Sequence, residues 1–248
     1  MNSGDSSRIQ ELSGFVTESR FRKFCDVLGQ RTRFVSVVLE DLYDPHNGSA
    51  CLRSCEACGI HEVHIVEERN AFMTVEGVTM GSARWLDLRR HYTPDTDGSA
   101  LLSNTHTASS IRHCYTELRD RGFTIVAMTP HPTPEKAIAF DRLPLGKPLA
   151  VVFGSERDGL STTAMEEADL HTRLPIYGFV ESYNISVACA LTVFNLAGRI
   201  RGELLPEQWQ LSEEDHDAVL LSWLRRTIRN VELVERSLST EAVHDDTL

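Results

Sequence analysis

Long apolar runs are absent from this chain. No segment approaches the roughly 18 consecutive apolar residues expected of a membrane helix, and Met1 to Arg20 is polar, without the apolar core of a secretory signal. A soluble cytoplasmic protein with no membrane partner is therefore the expectation. Internal repeats and low-complexity segments are also missing. Neither a GxGxxG loop nor a GxxxxGK loop followed by Ser or Thr occurs, which counts against dinucleotide enzymes and P-loop NTPases. Six cysteines in a chain of this length do not make a small secreted scaffold, so reduced thiols are expected. The histidines are scattered without metal-ligand spacing, and no metal is expected.

What is present suffices for one sizeable core: 248 residues, 41% of them hydrophobic. The net charge of −11 argues against a nucleic-acid partner when taken as one number. Its distribution weakens that objection. Residues 203–248 carry eleven acidic and four basic side chains, whereas residues 1–33 carry six basic and four acidic. Arg20, Arg22, Lys23, Arg31 and Arg33 form a local basic cluster. It is either a solvated helix face or a phosphate-binding patch.

Periodicity predicts an amphipathic helix over 15–30, then a buried strand over 33–41 (RFVSVVLED). Asp44-Pro45-His46-Asn47-Gly48 reads as a turn, 49–58 as a helix stopped by Gly59, and 61–66 as the next strand. Further on, the pattern predicts a helix over 108–121 and strands at 123–128 and 149–153. A helix at 162–168, a strand at 170–174 and a long helix over 184–201 complete it. Alternating strands and helices mean an α/β layer fold with a mostly parallel sheet flanked by helices. An N-terminal helical extension (1–33), a central domain (34–203) and a C-terminal helical extension with an acidic tail (204–248) are the expected divisions. In the last of these, Val219, Leu220, Trp223, Leu224, Ile228, Val231 and Val234 predict one helix reaching about Leu238, with the last ten residues unstructured.

In open α/β sheets ligands bind beyond the carboxyl ends of the strands. Three segments follow strands and carry polar residues that folding does not require. They are Asn47–Arg53 after the first strand, Gly154–Leu160 after LAVVF, and Pro175–Ser186 before the long helix. Glycine in the second segment suits close approach of a ligand to the backbone. Read singly, Asn47 is also a plausible turn residue, Arg53 an ion-pair partner on a helix surface, Glu156 a helix cap, and Ser182 and Asn184 N-caps.

Together the segments resemble the three motifs of the SpoU/TrmH branch of the SPOUT RNA 2′-O-ribose methyltransferases. Asn47, Arg53 and Gly59 match the first motif, FGSERDGLS (153–161) the second, and LPIYGFVESYNISVACA (174–190) the third. The resemblance runs from about Phe34 to Arg201. The short N-terminal helix and the Trp223-Leu224-Arg225 helix look most like the TrmH subgroup, which methylates guanosine 18 in the D-loop of tRNA. A tRNA wobble ribose and a ribosomal RNA ribose remain alternative targets.

The resemblance implies a deep C-terminal trefoil knot, a homodimer, and S-adenosyl-L-methionine as cofactor. It implies cofactor contacts at Met128, Gly154, Leu174, Ile176 and Tyr183. It assigns the reaction to Arg53, supported by Asn47, Glu156, Ser182 and Asn184. Arginine stays protonated far above neutral pH, so Arg53 either acts as the base or only stabilises charge. Arg20, Arg22, Lys23, His46, Arg199 and Arg201 are the candidate RNA contacts. Two readings from other classes stand beside this one. Cys51-x3-Cys55-x2-Cys58 has the spacing of a radical S-adenosylmethionine iron–sulfur motif, although i, i+4 and i+7 on a helix also make one buried face. A non-catalytic RNA-binding protein of the same fold is the other.

Overall fold

The computed structural model describes residues 3–92 and 109–245. Six strands form one sheet: β1 Val35–Glu40, β2 Glu62–Glu67, β3 Asp87–Tyr92, β4 Thr124–Met128, β5 Leu149–Phe153 and β6 Leu170–Thr172. Their order is β3-β2-β1-β5-β4-β6. Every pairing is parallel, with Val37 opposite Val63 and Val151, and Met128 opposite Thr172. The helices, in chain order, are α1 Ser3–Ser13, α2 Glu18–Leu28, α3 Pro45–Ala57, α4 Glu76–Thr79, α5 Ser109–Asp120, α6 Thr162–Glu167, α7 Ile185–Glu203, α8 Pro206–Trp209, α9 Glu213–Thr227 and α10 Val231–Asp245.

Thr32–Trp209 form one compact unit, and the two terminal segments, up to Arg31 and from Gln210, form another. In the central unit β5 is wholly apolar, and β1 and β4 are apolar but for Ser36, Glu40 and Thr124, because helices cover both faces of the sheet. On one face Val35, Val37, Leu39, Val126 and Val151 pack with Cys51, Leu52 and Cys55 of α3 and Cys189, Val193 and Leu196 of α7. On the other, Val38, Ile125, Ala127, Ala150 and Val152 pack with Ile111, Tyr115 and Leu118 of α5 and Ala164 of α6. The leucines and isoleucines among them cost about 2–5 kcal/mol when cut back to alanine.

The expected turn at Asp44–Gly48 is instead the start of α3. The Asp44 carboxylate accepts from the His46 amide at 2.8 Å, and Pro45 occupies the first turn, where its missing N–H is no loss. Gly59, at φ 80°, ends the helix in the left-handed region. Gly48 is needed for packing: a Cβ there would stand 2.6 Å from the Phe72 ring.

In the terminal unit α1 and α2 pack on α9. Phe24 of α2 meets Trp223 of α9 edge to face at 5.8 Å, and the Arg31 guanidinium sits 5.5 Å from the Trp223 ring centre. The helix expected over 15–30 is shorter, with Thr17 capping its start through the Arg20 amide. The single C-terminal helix expected to reach Leu238 is two, broken where Asn230 takes φ 54°. The second runs on to Asp245, so most of the last ten residues are helical rather than unstructured. The predicted helix start at residue 108 and the final three residues lie outside the described residues.

Candidate active site

The carboxyl ends of β1, β5, β4 and β6 lie side by side along one edge of the sheet. Between β1 and β5 the direction of winding reverses, which leaves a crevice beyond the strand ends. Leu39 of β1 is level with Phe153 of β5, so the loops that follow them emerge together.

A directed hydrogen-bond chain joins all three motif segments there. The Asn184 Oδ1 caps α7, accepting from the Ser186 amide at 2.9 Å and the Ser186 hydroxyl at 2.6 Å. Because a backbone N–H can only donate, that oxygen is fixed, and the Asn184 Nδ2 must point the other way. It donates to Asn47 Oδ1 at 3.1 Å. Asn47 Nδ2 in turn donates to Glu156 Oε1 at 2.8 Å. The other carboxylate oxygen, Oε2, accepts from the Tyr43 amide at 3.3 Å. Asn184 thus caps α7 and also bonds to Asn47, while Asn47 lies in a helix rather than in a left-handed turn.

The Glu156 loop is closed on itself. Ser155 and Gly159 exchange two backbone hydrogen bonds at 3.0 Å. A Cβ on Gly154 would lie 2.1 Å from the Gly159 carbonyl carbon. On its Cβ side this glycine is required by the loop's own backbone, not by a ligand. Ser161, which caps α6, donates its amide (2.9 Å) and hydroxyl (2.6 Å) to Glu40 at the end of β1. Burial pushes the Glu40 carboxyl up from its ordinary value, against the pull of those two donors.

The other candidates are placed as follows. Arg53 is exposed on α3, about 9 Å along the axis and roughly 120° around it from Asn47, and its Nη1 reaches the Val78 carbonyl of α4 at 3.5 Å. It is outside the Asn184–Asn47–Glu156 chain. Ser182 is exposed. The Tyr183 hydroxyl donates to the Pro175 carbonyl at 3.2 Å, folding the third segment back on itself. Met128 and Ile176 are half-buried and Leu174 is buried, giving an apolar wall at the ends of β4 and β6.

Of the expected RNA contacts, Arg22 pairs with Glu18 and Arg199 with Glu203 at 2.8 Å. Arg201 donates to the Ala197 (2.8 Å) and Cys58 (3.3 Å) carbonyls and lies over the Trp209 ring, all within the central unit. Arg20, Lys23 and His46 are exposed.

Cys51 and Cys55 face α7, where the Cys51 and Cys189 thiols are hydrogen-bonded. That bond, together with burial, pushes the Cys51 thiol well up from its ordinary value. These cysteines pack as small hydrophobes between two helices. Elsewhere, histidines distant in sequence do converge. Among the described residues, His64–His91–Cys114 and His91–His113–Glu117 each bring three potential ligand atoms within 4.8 Å. Glu62 joins the first group from outside: its Oε1 lies 2.8 Å from His64 Nε2, and His64 Nδ1 lies 2.8 Å from His91 Nε2.

Comparison with known proteins places the chain in a family. The sequence pattern of the SpoU rRNA Methylase family matches residues 35–194. The chain belongs to the SpoU rRNA methylase family. A tRNA (guanosine(18)-2′-O)-methyltransferase of Borreliella burgdorferi is 30% identical over 233 residues, covering 94% of this chain and 97% of that one. The protein of the same name from Thermus thermophilus is 34% identical over 210 residues, covering 85% of this chain and 98% of its own. The crystal structure of the Aquifex aeolicus TrmH/SpoU tRNA modifying enzyme superposes with a TM-score of 0.70 at 25% identity, covering 86% of this chain and 98% of that one. No helix of the described residues is long and apolar enough to cross a membrane.

Proposed function

We propose that this SpoU-family chain transfers a methyl group from S-adenosyl-L-methionine to the ribose 2′-hydroxyl of guanosine 18 in the D-loop of tRNA. The observation that carries the reading is the Asn184–Asn47–Glu156 chain, which gathers three distant motif segments at one strand edge. The names of the relatives, each matched over nearly its whole length, supply the substrate.

The cofactor fits the residues present. Met128, Leu174 and Ile176 offer an apolar wall suited to a neutral adenine, with Gly154 and Tyr183 beside it. Bound S-adenosyl-L-methionine supplies an electrophilic sulfonium methyl. The protein must then place the 2′-oxygen in line and stabilise the charge that develops as its proton leaves. Glu156, held by two donors, stays an acceptor that can orient a ribose hydroxyl. Asn47 and Asn184 fix its direction, and Ser182 lies two residues before Asn184. Arg53, charged at neutral pH, grips the substrate phosphate and stabilises the alkoxide, while a phosphate oxygen or water takes the proton. No metal is called for in such a transfer.

The same reading includes a trefoil knot threaded through the segment between β6 and α7, a cytoplasmic location and a homodimer. Supporting the dimer is an apolar surface on the third segment and α7, where Tyr177, Phe179 and Phe194 are 96%, 109% and 74% exposed. Arg20, Arg22, Lys23, His46, Arg199 and Arg201 are the proposed RNA contacts, giving affinity that falls steeply with salt.

The test is methyl transfer from labelled cofactor to unmodified tRNA, followed by mapping of the methylated ribose. A mark at guanosine 18, lost when Arg53→Ala retains cofactor binding, is expected. Cofactor binding without transfer to any RNA, or a mark on ribosomal RNA alone, overturns the proposal.

A further inference from the structure

Asp41 follows β1 in the left-handed region, at φ 54°. That conformation is uncommon for a residue with a Cβ, and aspartate adopts it where its short side chain finds local hydrogen bonds. Here the chain after β2 supplies them. Asp41 Oδ1 accepts from the Arg69 and Asn70 amides at 2.8 Å and from the Glu68 amide at 3.4 Å. Asn70 Nδ2 returns a bond to the Asp41 carbonyl at 3.1 Å. The result is a rigid base built from the ends of two adjacent strands.

From this base one side chain reaches the Glu156 loop. Arg69 donates Nε to Asp41 Oδ2 at 2.7 Å, and its Nη1 lies 2.9 Å from Asp158 Oδ2. Asp158 is two residues past Glu156. Its amide donates to the Ser155 hydroxyl at 3.1 Å, inside the hairpin closed by Ser155 and Gly159. Because the hairpin is closed on itself, it moves as one body, and a tie at Asp158 sets the direction of Glu156. The Ser161–Glu40 bonds hold its far end.

We infer that Arg69 and Asp158 form a latch that positions the Glu156 loop for the reaction, with Arg69 as a positioning residue anchored by Asp41. This inference rests on the proposed methyl transfer. Magnitudes separate it from an ordinary surface ion pair. The Asp158 side chain is 60% exposed and that of Arg69 48%, and such pairs contribute only about 0.2–1 kcal/mol to folding. A displacement of about 1 Å in an aligned site, however, can cost roughly 10²-fold in rate. Cutting the latch at Asp158 should leave stability nearly intact and slow the reaction, whereas Arg69→Ala also strips the buried Asp41 carboxylate of its cation and should lower the thermal midpoint as well.

The experiment compares Arg69→Ala, Asp158→Ala, the double variant and Arg69→Lys in the full-length protein. Three quantities are read: kcat and KM for tRNA methylation, thermal midpoint, and amide hydrogen exchange of residues 155–160. Each alanine variant should lower kcat at least tenfold with KM within about threefold. The double variant should be no slower than the slower single, and Arg69→Lys should recover part of the rate. Exchange at the Ser155 and Gly159 amides should quicken at least tenfold in Asp158→Ala. Unchanged exchange, wild-type kcat in either single variant, or losses that multiply in the double variant overturn the latch. If the wild-type protein transfers no methyl group, the proposed function fails, and exchange alone decides whether the latch holds the loop.

Discussion

Asn47 Nδ2 lies 2.8 Å from Glu156 Oε1, across 109 positions of sequence. The polarity of that contact is set from outside it, since the α7 amide at Ser186 fixes Asn184, and Asn184 fixes Asn47. A carboxylate at position 47 would therefore face another carboxylate and lose the Asn47 donor to Oε1. Two carboxylates so close cannot both ionise without raising the pKa of one. Asn47→Asp should lose at least 10²-fold in kcat at pH 8 and recover part of it as the pH falls toward 6. Asn47→Ala should show no such recovery. Parallel pH–rate profiles for the two variants would remove Glu156 from the argument.

A second prediction concerns folding rather than catalysis. Glu62 is fully buried and takes both Arg121 nitrogens, at 2.7 and 2.9 Å, besides His64. Burial opposes its charge, but the bonds from His64 and Arg121 win and hold its carboxyl well below the usual range. Burial, and then the neighbouring His64, bring His91 down to about 4 from 6.5, with Glu117 pulling the other way and His113 and Arg89 adding to the depression. Unfolding frees His91 to bind a proton near its ordinary value. Between about pH 6.5 and 4 the unfolded chain holds more protons than the folded one, so stability falls as pH drops through that window. The ceiling for His91 is about 3 kcal/mol. Below about pH 4.5 the loss continues through Glu62. Glu40, pushed up by burial, works in the opposite sense, so the difference between variant and wild type is what matters. His91→Gln, which can still hydrogen-bond to His64, should flatten the fall in urea-unfolding free energy between pH 6.5 and 4.5. An unaltered slope would show that His91 is not the group responsible.

How much of this was legible in the sequence follows from where each element sits. The bounds of β5 agree with expectation because Leu149–Phe153 is apolar on both faces and flanked by polar or small residues. β3 was not visible: Asp87-Leu88-Arg89-Arg90-His91-Tyr92 is an edge strand whose arginines pair with Glu117 and Glu67 instead of burying an apolar face. The break between α9 and α10 was hidden because Ile228, Val231 and Val234 keep helical spacing across it, and Asn230 is the only local cue. Asp44-Pro45 carries turn and helix-start chemistry alike, and packing of α3 against α7 decided between them. At the site, the motif residues were readable by type and order. Their partners were not, because the bonds of Asn47 and Arg69 depend on which strands are neighbours. The His64–His91 pairing was missed for the same reason, its members lying on separate strands.

The last prediction tests the apolar surface of α7. Val187, Leu191 and Phe194 recur at i, i+4 and i+7, so they share one side of the helix, and all three are exposed, at 45%, 44% and 74%. The opposite side, through Cys189, Val193 and Leu196, is already buried against the sheet and α3. Tyr177, Phe179 and Val180 of the third motif segment are exposed as well. Covering a phenylalanine is worth about 1.5–3 kcal/mol, and a carboxylate in its place adds a desolvation penalty of several kcal/mol. Each 1.4 kcal/mol is tenfold in dissociation, so Phe194→Glu should weaken a dimer formed through this face at least 10²-fold. Sedimentation of the wild-type protein at micromolar concentration should give a dimer, and of the variant a monomer with an unchanged circular dichroism spectrum. Because Phe194 is 74% exposed, loss of the fold is not expected to confuse the result. A wild-type monomer, or a variant that still pairs, would rule out this face of α7 as the dimer interface.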